Sequence, residues 1–319
     1  MKYKFYTVSF NAWDAMLGAI KLAEKSIYWE CYILLDDTPT HNFFDILKEK
    51  ARQGVVVKII ADAIGSFWLG SSAVNDLRAA GVEILFFNHR GWFNRNHKKI
   101  LIIDEKIGFI GGVNIAKAHR HWLDLHLKVE GLIARALLRS FIKSYKISGG
   151  KDNLVHQKIR LHRKIRILDH LPFLSKSRSL RKFYIEHINN AKDNILIATP
   201  YFVPHLWLIK ALKNAARRGV KIEIIMPKET DHRIITWLNR LFVYLVGEKG
   251  IDFYFSSKMI HAKALLVDDQ EGLVGSNNID AASFEFNSES GLVFKRKDML
   301  KDLKNIFEAW KKESIRSSY

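Results

Sequence analysis

The chain has one cysteine in 319 residues, which excludes an internal disulfide framework and a cysteine-built zinc site. Cys31 lies in an apolar, strand-like run and reads as core. There is also no run approaching the ~18 consecutive apolar residues that a membrane-spanning helix requires. The first ten residues, MKYKFYTVSF, lack the apolar core of a secretory signal. Any membrane contact is therefore expected to be peripheral. No spacing of His, Cys, Asp or Glu matches a metal-ligand motif. Acidic residues are in deficit: 33 Asp and Glu stand against 51 Lys and Arg, a formal charge of +18. That excess attracts polyanions, whether nucleic acid, phosphate esters or an anionic membrane surface, and does not choose among them. The remaining composition, 48% hydrophobic and 26% charged, is that of a globular protein and excludes disorder or a collagen-like fibre.

Two segments about half a chain apart carry the same order of signals. In the first, a helix-patterned stretch from Ala12 to Lys25 precedes the strand SIYWECYIL. A helix from Asn42 to Gln53 then stops at Gly54 before the strand VVVKIIAD. In the second, Ile185 to Lys192 precedes NILIATPYFVP, and a helix running to Arg218 stops at Gly219 before VKIEIIMP. Such alternation implies an α/β fold of two similar lobes, each a mostly parallel sheet flanked by helices. The lobes are expected to span residues 1–150 and 151–319. Between them, Lys151 to Lys182 holds ten Lys and Arg against Asp152 and Asp169. This stretch reads either as a solvated connector with a strand near Lys164–Leu168 or as a stripe that meets phosphate-rich surfaces.

Each lobe closes with a chemically loaded segment, NHKKILIIDEKIGFIGGVN from Asn96 and IHAKALLVDDQEGLVGSNN from Ile260. His97 matches His261, Lys99 matches Lys263, Asp104 matches Asp268, Gly111 matches Gly275 and Asn114 matches Asn278, every pair 164 positions apart. One H-x-K carries little weight, whereas two in register with the Asp, Gly and Asn carry a great deal. The two-residue period of a strand puts each His and Lys on one face. The aspartates fall at an odd spacing beside turns, so Asp104 and Asp268 are expected to anchor structure through charge-assisted hydrogen bonds. Lys99 and Lys263 offer point charges to phosphate oxygens, and Asn114, Asn278 and Ser276 offer further donors. Gly112 stands where the second lobe has Ser276, so the pocket is expected to be asymmetric. Phosphodiester exchange needs a nucleophile on one side of phosphorus and a proton donor on the other, and histidine can do either. Two facing half-sites would supply both, with no metal or cofactor required. A carboxylate on the second ring nitrogen would orient each imidazole. The candidates are Asp124, 27 residues after His97, and Glu289, 28 after His261. His119, His121, His126, His162, His170, His187, His205 and His232 have no repeated partner and read as bystanders.

The duplicated segments resemble the signature of the phospholipase D superfamily over nearly the whole chain. The stretches YILLDDTPTHNFFDILKEKARQGVVVKIIADAIGS, HWLDLHLKVEG, ATPYFVPHLWLIKALKNAARRGVKIEIIMP and SFEFNSESG are similar to its bacterial cardiolipin synthase branch. The resemblance implies the phospholipase D fold, two lobes about a pseudo-twofold axis, and phosphatidyl transfer from phosphatidylglycerol to a second phospholipid or an alcohol. It implies His97 as nucleophile, forming a phosphohistidine, and His261 as acid and base. Lys99 and Lys263 would clamp phosphate, and Asp104 and Asp268 would be structural. Hydrolysis of phospholipid uses the same residues, and a nuclease acting on nucleic acid is the alternative of a different class. Many relatives carry an N-terminal transmembrane hairpin that this sequence lacks, so lipid would be reached from the cytoplasmic face. Arg233–Val246, RIITWLNRLFVYLV, is apolar around much of a helix. It reads either as a membrane contact or as a buried helix.

Overall fold

In the computed structural model, which describes residues 2–88, 94–154, 159, 161–172 and 179–318, each lobe is built on one mixed sheet. The first begins with β1 (Tyr3–Val8), α1 (Ser9–Lys21), β2 (Ser26–Cys31), α2 (Phe43–Arg52), β3 (Val56–Asp62), α3 (Ser71–Ala79) and β4 (Glu83–Phe87). It ends with β5 (Ile100–Ile103), β6 (Ile107–Gly111), β7 (Leu123–Glu130) and α4 (Leu132–Ile147). Its strands lie in the order β1-β7-β6-β5-β2-β3-β4.

The second lobe opens with β8 (Ile165–His170), α5 (Ser179–Asn190), β9 (Asn194–Ala198), β10 (Phe202–Val203), α6 (Leu206–Arg217), β11 (Lys221–Pro227) and α7 (Arg233–Val246). It continues through β12 (Ile251–Ser256), β13 (Ala264–Val267), β14 (Glu271–Gly275), β15 (Ile279–Asp280), α8 (Ala281–Glu285), β16 (Glu289–Phe294), α9 (Lys297–Lys312) and β17 (Ser314–Ser318). Its sheet order is β17-β12-β11-β9-β13-β14-β16-β8.

A separate two-stranded sheet pairs β10 with β15 in parallel. Within the two large sheets, parallel strand pairing is confined to β2-β3-β4 and β9-β11-β12, where helices make the crossovers. The motif-bearing strands join these edges antiparallel, through β5 on β2 and β13 on β9. A short turn at DEKIG or DDQEG returns the chain directly, and such a turn can only join antiparallel neighbours. Each sheet is therefore more antiparallel than the helix-strand alternation suggests. The helix stops fall where the glycines imply. Gly54 and Gly219 follow α2 and α6 with φ of 88° and 93°, the left-handed conformation that ends a helix cheaply only at glycine. Asn42 caps α2, its side chain accepting from Asp45 N–H.

One core cluster crosses the lobe boundary. Leu125, Leu127, Leu137 and Phe141 of the first lobe share it with Leu266, Leu292, Phe307 and Trp310 of the second. Each such side chain contributes about 2 kcal/mol on burial, so the seam that carries the site is also a hydrophobic core. Cys31 is buried as expected, in β2, within a separate core cluster of the first lobe. Among the described residues no helix is long and apolar enough to cross a membrane.

Candidate active site

The motif histidines sit just before β5 and β13, where each sheet reaches the other lobe. Two isolated parallel bridges sew this seam, Asn96 with Ser288 and Leu123 with Ile260. His97 N–H donates to Ser288 O at 2.9 Å, and His261 N–H donates to Leu123 O at 2.6 Å. The residue before each histidine is thus paired with the residue before the opposite lobe's carboxylate.

The carboxylates are consequently exchanged between lobes. His97 Nδ1 lies 3.0 and 3.1 Å from the two oxygens of Glu289, and His261 Nδ1 lies 2.7 Å from Asp124 Oδ2. Counting along the chain pairs each histidine with its own lobe's acid. The structure crosses them, because both acids stand at the starts of strands, Glu289 first in β16 and Asp124 second in β7, whose ends meet the other lobe's motif. With Nδ1 engaged, Nε2 is the free nitrogen of each ring. Lys99 and Lys263 turn back toward His97 O and His261 O, the first at 2.6 Å. Lys99 Nζ also lies 4.9 Å above the Tyr32 ring, which meets the His97 ring edge-on at 4.7 Å.

All six groups are buried. Burial pushes His97 down to about 4, and Lys99 and Lys263 add to this against the pull of Glu289. His261 falls well below its usual value through burial, then Lys263, His119, Lys99 and His97. Burial also lowers Lys99 to about 8 and Lys263 to about 7. Both imidazoles are neutral at pH 7, and the four basic groups share one field that calls for an anion.

The acids differ. Burial works against ionisation of Glu289, but His97, Lys99 and a hydrogen bond from Ser276 hold it at about 2. Burial raises Asp124, with Lys263 and the Leu125 N–H opposing. No hydroxyl reaches Asp124 from the Ser276 position: a Cβ on Gly112 would stand 2.1 Å from Asp124 Oδ1. The asymmetry expected from Gly112 and Ser276 is thus present, but it lies behind the histidines. Ser276 is a partner of Glu289 and of the Ser290 backbone, not a free donor between the lysines.

Asp104 and Asp268 stand at the far ends of β5 and β13 from the histidines. Asp104 accepts from the N–H groups of Glu24, Lys25 and Ser26, and Asp268 from those of Lys192, Asp193 and Asn194. Each fixes the start of the neighbouring parallel strand. Asn114 accepts from Ile33 N–H through its side chain and from the Trp13 indole through its carbonyl. Asn278 Oδ1 is buried with no hydrogen-bond partner among the described residues. Nor does any group of three or more His, Cys, Asp or Glu among them stand ready to hold a metal ion.

The family model for cardiolipin synthase, phospholipase D-like domain, matches residues 16–131 and 184–311. The chain belongs to this family. It is 32% identical to a probable cardiolipin synthase of Bacillus subtilis over 94% of its own length and 64% of that protein's. It is 31% identical to a cardiolipin synthase of Clostridium perfringens over 93% of itself and 67% of the relative. The chain thus spans about two thirds of the length of these relatives. Phosphatidylserine synthase of Haemophilus influenzae shares the fold, with a TM-score of 0.80 at 14% identity over 99% of this chain and 88% of that one. Polyphosphate kinase of Porphyromonas gingivalis matches at a TM-score of 0.67 and 12% identity, over 96% and 46%.

In this family member several site residues escape a search for repeats. Asp62, at the end of β3, accepts from Asn96 N–H at 2.7 Å and so holds the residue before His97. Lys98, next to His97, is fully buried and pairs with Asp169 at 2.8 Å. His119, read as a bystander, stacks on Trp122 at 3.9 Å, and its ring lies 6.2 Å from His261. Its Nδ1 is buried with no hydrogen-bond partner among the described residues. None of these has a counterpart 164 positions away, and that is why the register could not reveal them.

Proposed function

We propose that the chain transfers a phosphatidyl group from phosphatidylglycerol to a second phospholipid or alcohol, forming cardiolipin, through a phosphohistidine on His97. The carrying observation is the crossed clasp, in which two buried neutral imidazoles are each oriented through Nδ1 by the opposite lobe's carboxylate. Phosphate entering between Lys99 and Lys263 offsets their charge, so His261 regains its proton. His97 Nε2 attacks phosphorus while the bond to the leaving glycerol oxygen breaks, and His261 Nε2–H gives that oxygen its proton. The acceptor hydroxyl then returns a proton to His261 as its oxygen attacks phosphorus and the P–N bond breaks. The choice of His97 as nucleophile rests on the acids. Glu289 carries the firmer negative charge and better supports the imidazolium-like state formed on attack.

Contact with the membrane is proposed through α7. Ile234, Trp237 and Tyr244 are 75%, 62% and 73% exposed, while Val243 and Val246 pack inward. The helix is thus buried on one side only, and its exposed aromatics suit the headgroup layer of an anionic cytoplasmic leaflet.

Vesicles of phosphatidylglycerol incubated with the purified chain are expected to yield diphosphatidyl product and free glycerol. His97→Ala lowers the rate by roughly 10³-fold or more. A histidine-linked adduct accumulates when His261 is replaced and never when His97 is. Cleavage of single-stranded oligonucleotide without lipid turnover would refute the lipid reading, and activity surviving His97→Ala with His261→Ala would refute the chemistry.

A further inference from the structure

Arg135, Arg139 and Lys143 recur every four residues on α4, so they stand on one helix face. Arg163 and Arg166, from the basic connector and β8, come against that face and help close a cavity of about 460 Å³. Asp169 is the one carboxylate of its described lining, and its oxygens are committed to Lys98 at 2.8 Å and Lys143 at 2.6 Å. Arg135 is tied to Glu105 and Arg166 to Glu271, each at 3.3 Å. Arg139 and Arg163 have no ion-pair partner among the described residues. A concave surface with five cations around one spent carboxylate focuses positive potential more than a solvated helix face does. Guanidinium forks match phosphate oxygens in pairs. A second hollow of about 470 Å³ shares Leu161 and Ile165 with the first and continues over Leu132 and Ile133.

We propose that this cavity is a second, non-catalytic site for the phosphate of an anionic phospholipid, with the apolar hollow taking part of an acyl chain. Free phosphate would satisfy the arginines and leave the hollow empty. The site lies behind the catalytic seam. Asp169 pairs in register with Ser290, the neighbour of Glu289, and its other partner, Lys98, follows His97. The choice of lipid rests on the functional reading above, whereas the phosphate site does not.

The full chain is titrated calorimetrically with dihexanoyl phosphatidic acid below its micelle concentration, and separately with inorganic phosphate. Phosphatidic acid carries no headgroup alcohol to release. Two molecules are expected to bind per chain, one in each site. Arg139→Ala with Arg163→Ala, both at the surface, weakens one site by about tenfold or more and leaves phosphatidylglycerol turnover in place. One site in the unmodified chain, or two unaltered sites in the double variant, overturns the proposal. Inorganic phosphate binding as tightly as phosphatidic acid overturns the lipid assignment. Two sites in a chain that turns over no phosphatidylglycerol would strike the functional reading instead.

Discussion

At the residue scale, the site is poised by burial against its own charge. Lys263 at about 7 and Lys99 at about 8 are only partly charged in the free protein near neutrality. A bound phosphate restores their protons, so binding at pH 8 is expected to take up protons, and affinity falls as pH rises through that range. Calorimetry in two buffers of different ionisation enthalpy measures the uptake. His97 runs the opposite way in stability. Its folded pKa of about 4 lies below its ordinary 6.5, so the unfolded chain binds that proton first. Its contribution is full above pH 6.5 and is lost as pH falls toward about 4. Glu289→Gln removes the charge but keeps the shape, and a drop of about 10- to 100-fold in kcat is expected, as for other groups that orient a reacting ligand. An unchanged pH–rate profile would show that Glu289 does not act through His97.

At the scale of elements, the motif aspartates are strand anchors. Asp268 has φ of 51° and gathers three backbone N–H groups at the start of β9. Asp268→Ala is expected to cost about 1–2 kcal/mol, as lost caps do, and Asp104→Ala should behave alike at β2. Denaturant midpoints check this. Activity per folded molecule should fall far less than for His97→Ala. The odd spacing of Asp from His and Lys in the sequence already separated their roles, because a strand turns alternate residues to opposite faces. Helix ends were legible for the same local reason: Gly54 and Gly219 can adopt a conformation that most residues resist. Strand direction was less legible. Helix-strand alternation announces parallel pairing, but β5 and β13 leave by tight turns into their antiparallel neighbours β6 and β14 and also pair antiparallel with β2 and β9.

For the whole molecule, the lobes share a core and a buried charge network, so they are expected to unfold together. Lys98 is enclosed with Ser140, Ser144 and Asp169, and it joins the first lobe's motif to the second lobe's edge strand. Lys98→Ala leaves the largely enclosed Asp169 with Lys143 as its one remaining ion-pair partner beside the Ser140 hydroxyl, and is expected to cost about 3 kcal/mol. A single denaturation transition moving as one unit checks both points, and two separate transitions would contradict the shared core.

The sequence by itself determined the duplication, the histidine-lysine pairs and the structural part of the aspartates, because strand period and a 164-residue register are local or one-dimensional properties. Only the tertiary structure decided that Glu289 serves His97 and Asp124 serves His261, that Ser276 backs a carboxylate, and that Lys98, Asp62 and His119 join the site. Those relations depend on how two sheets meet across a seam. Spacing along one chain carries no record of which end of one lobe will face the other.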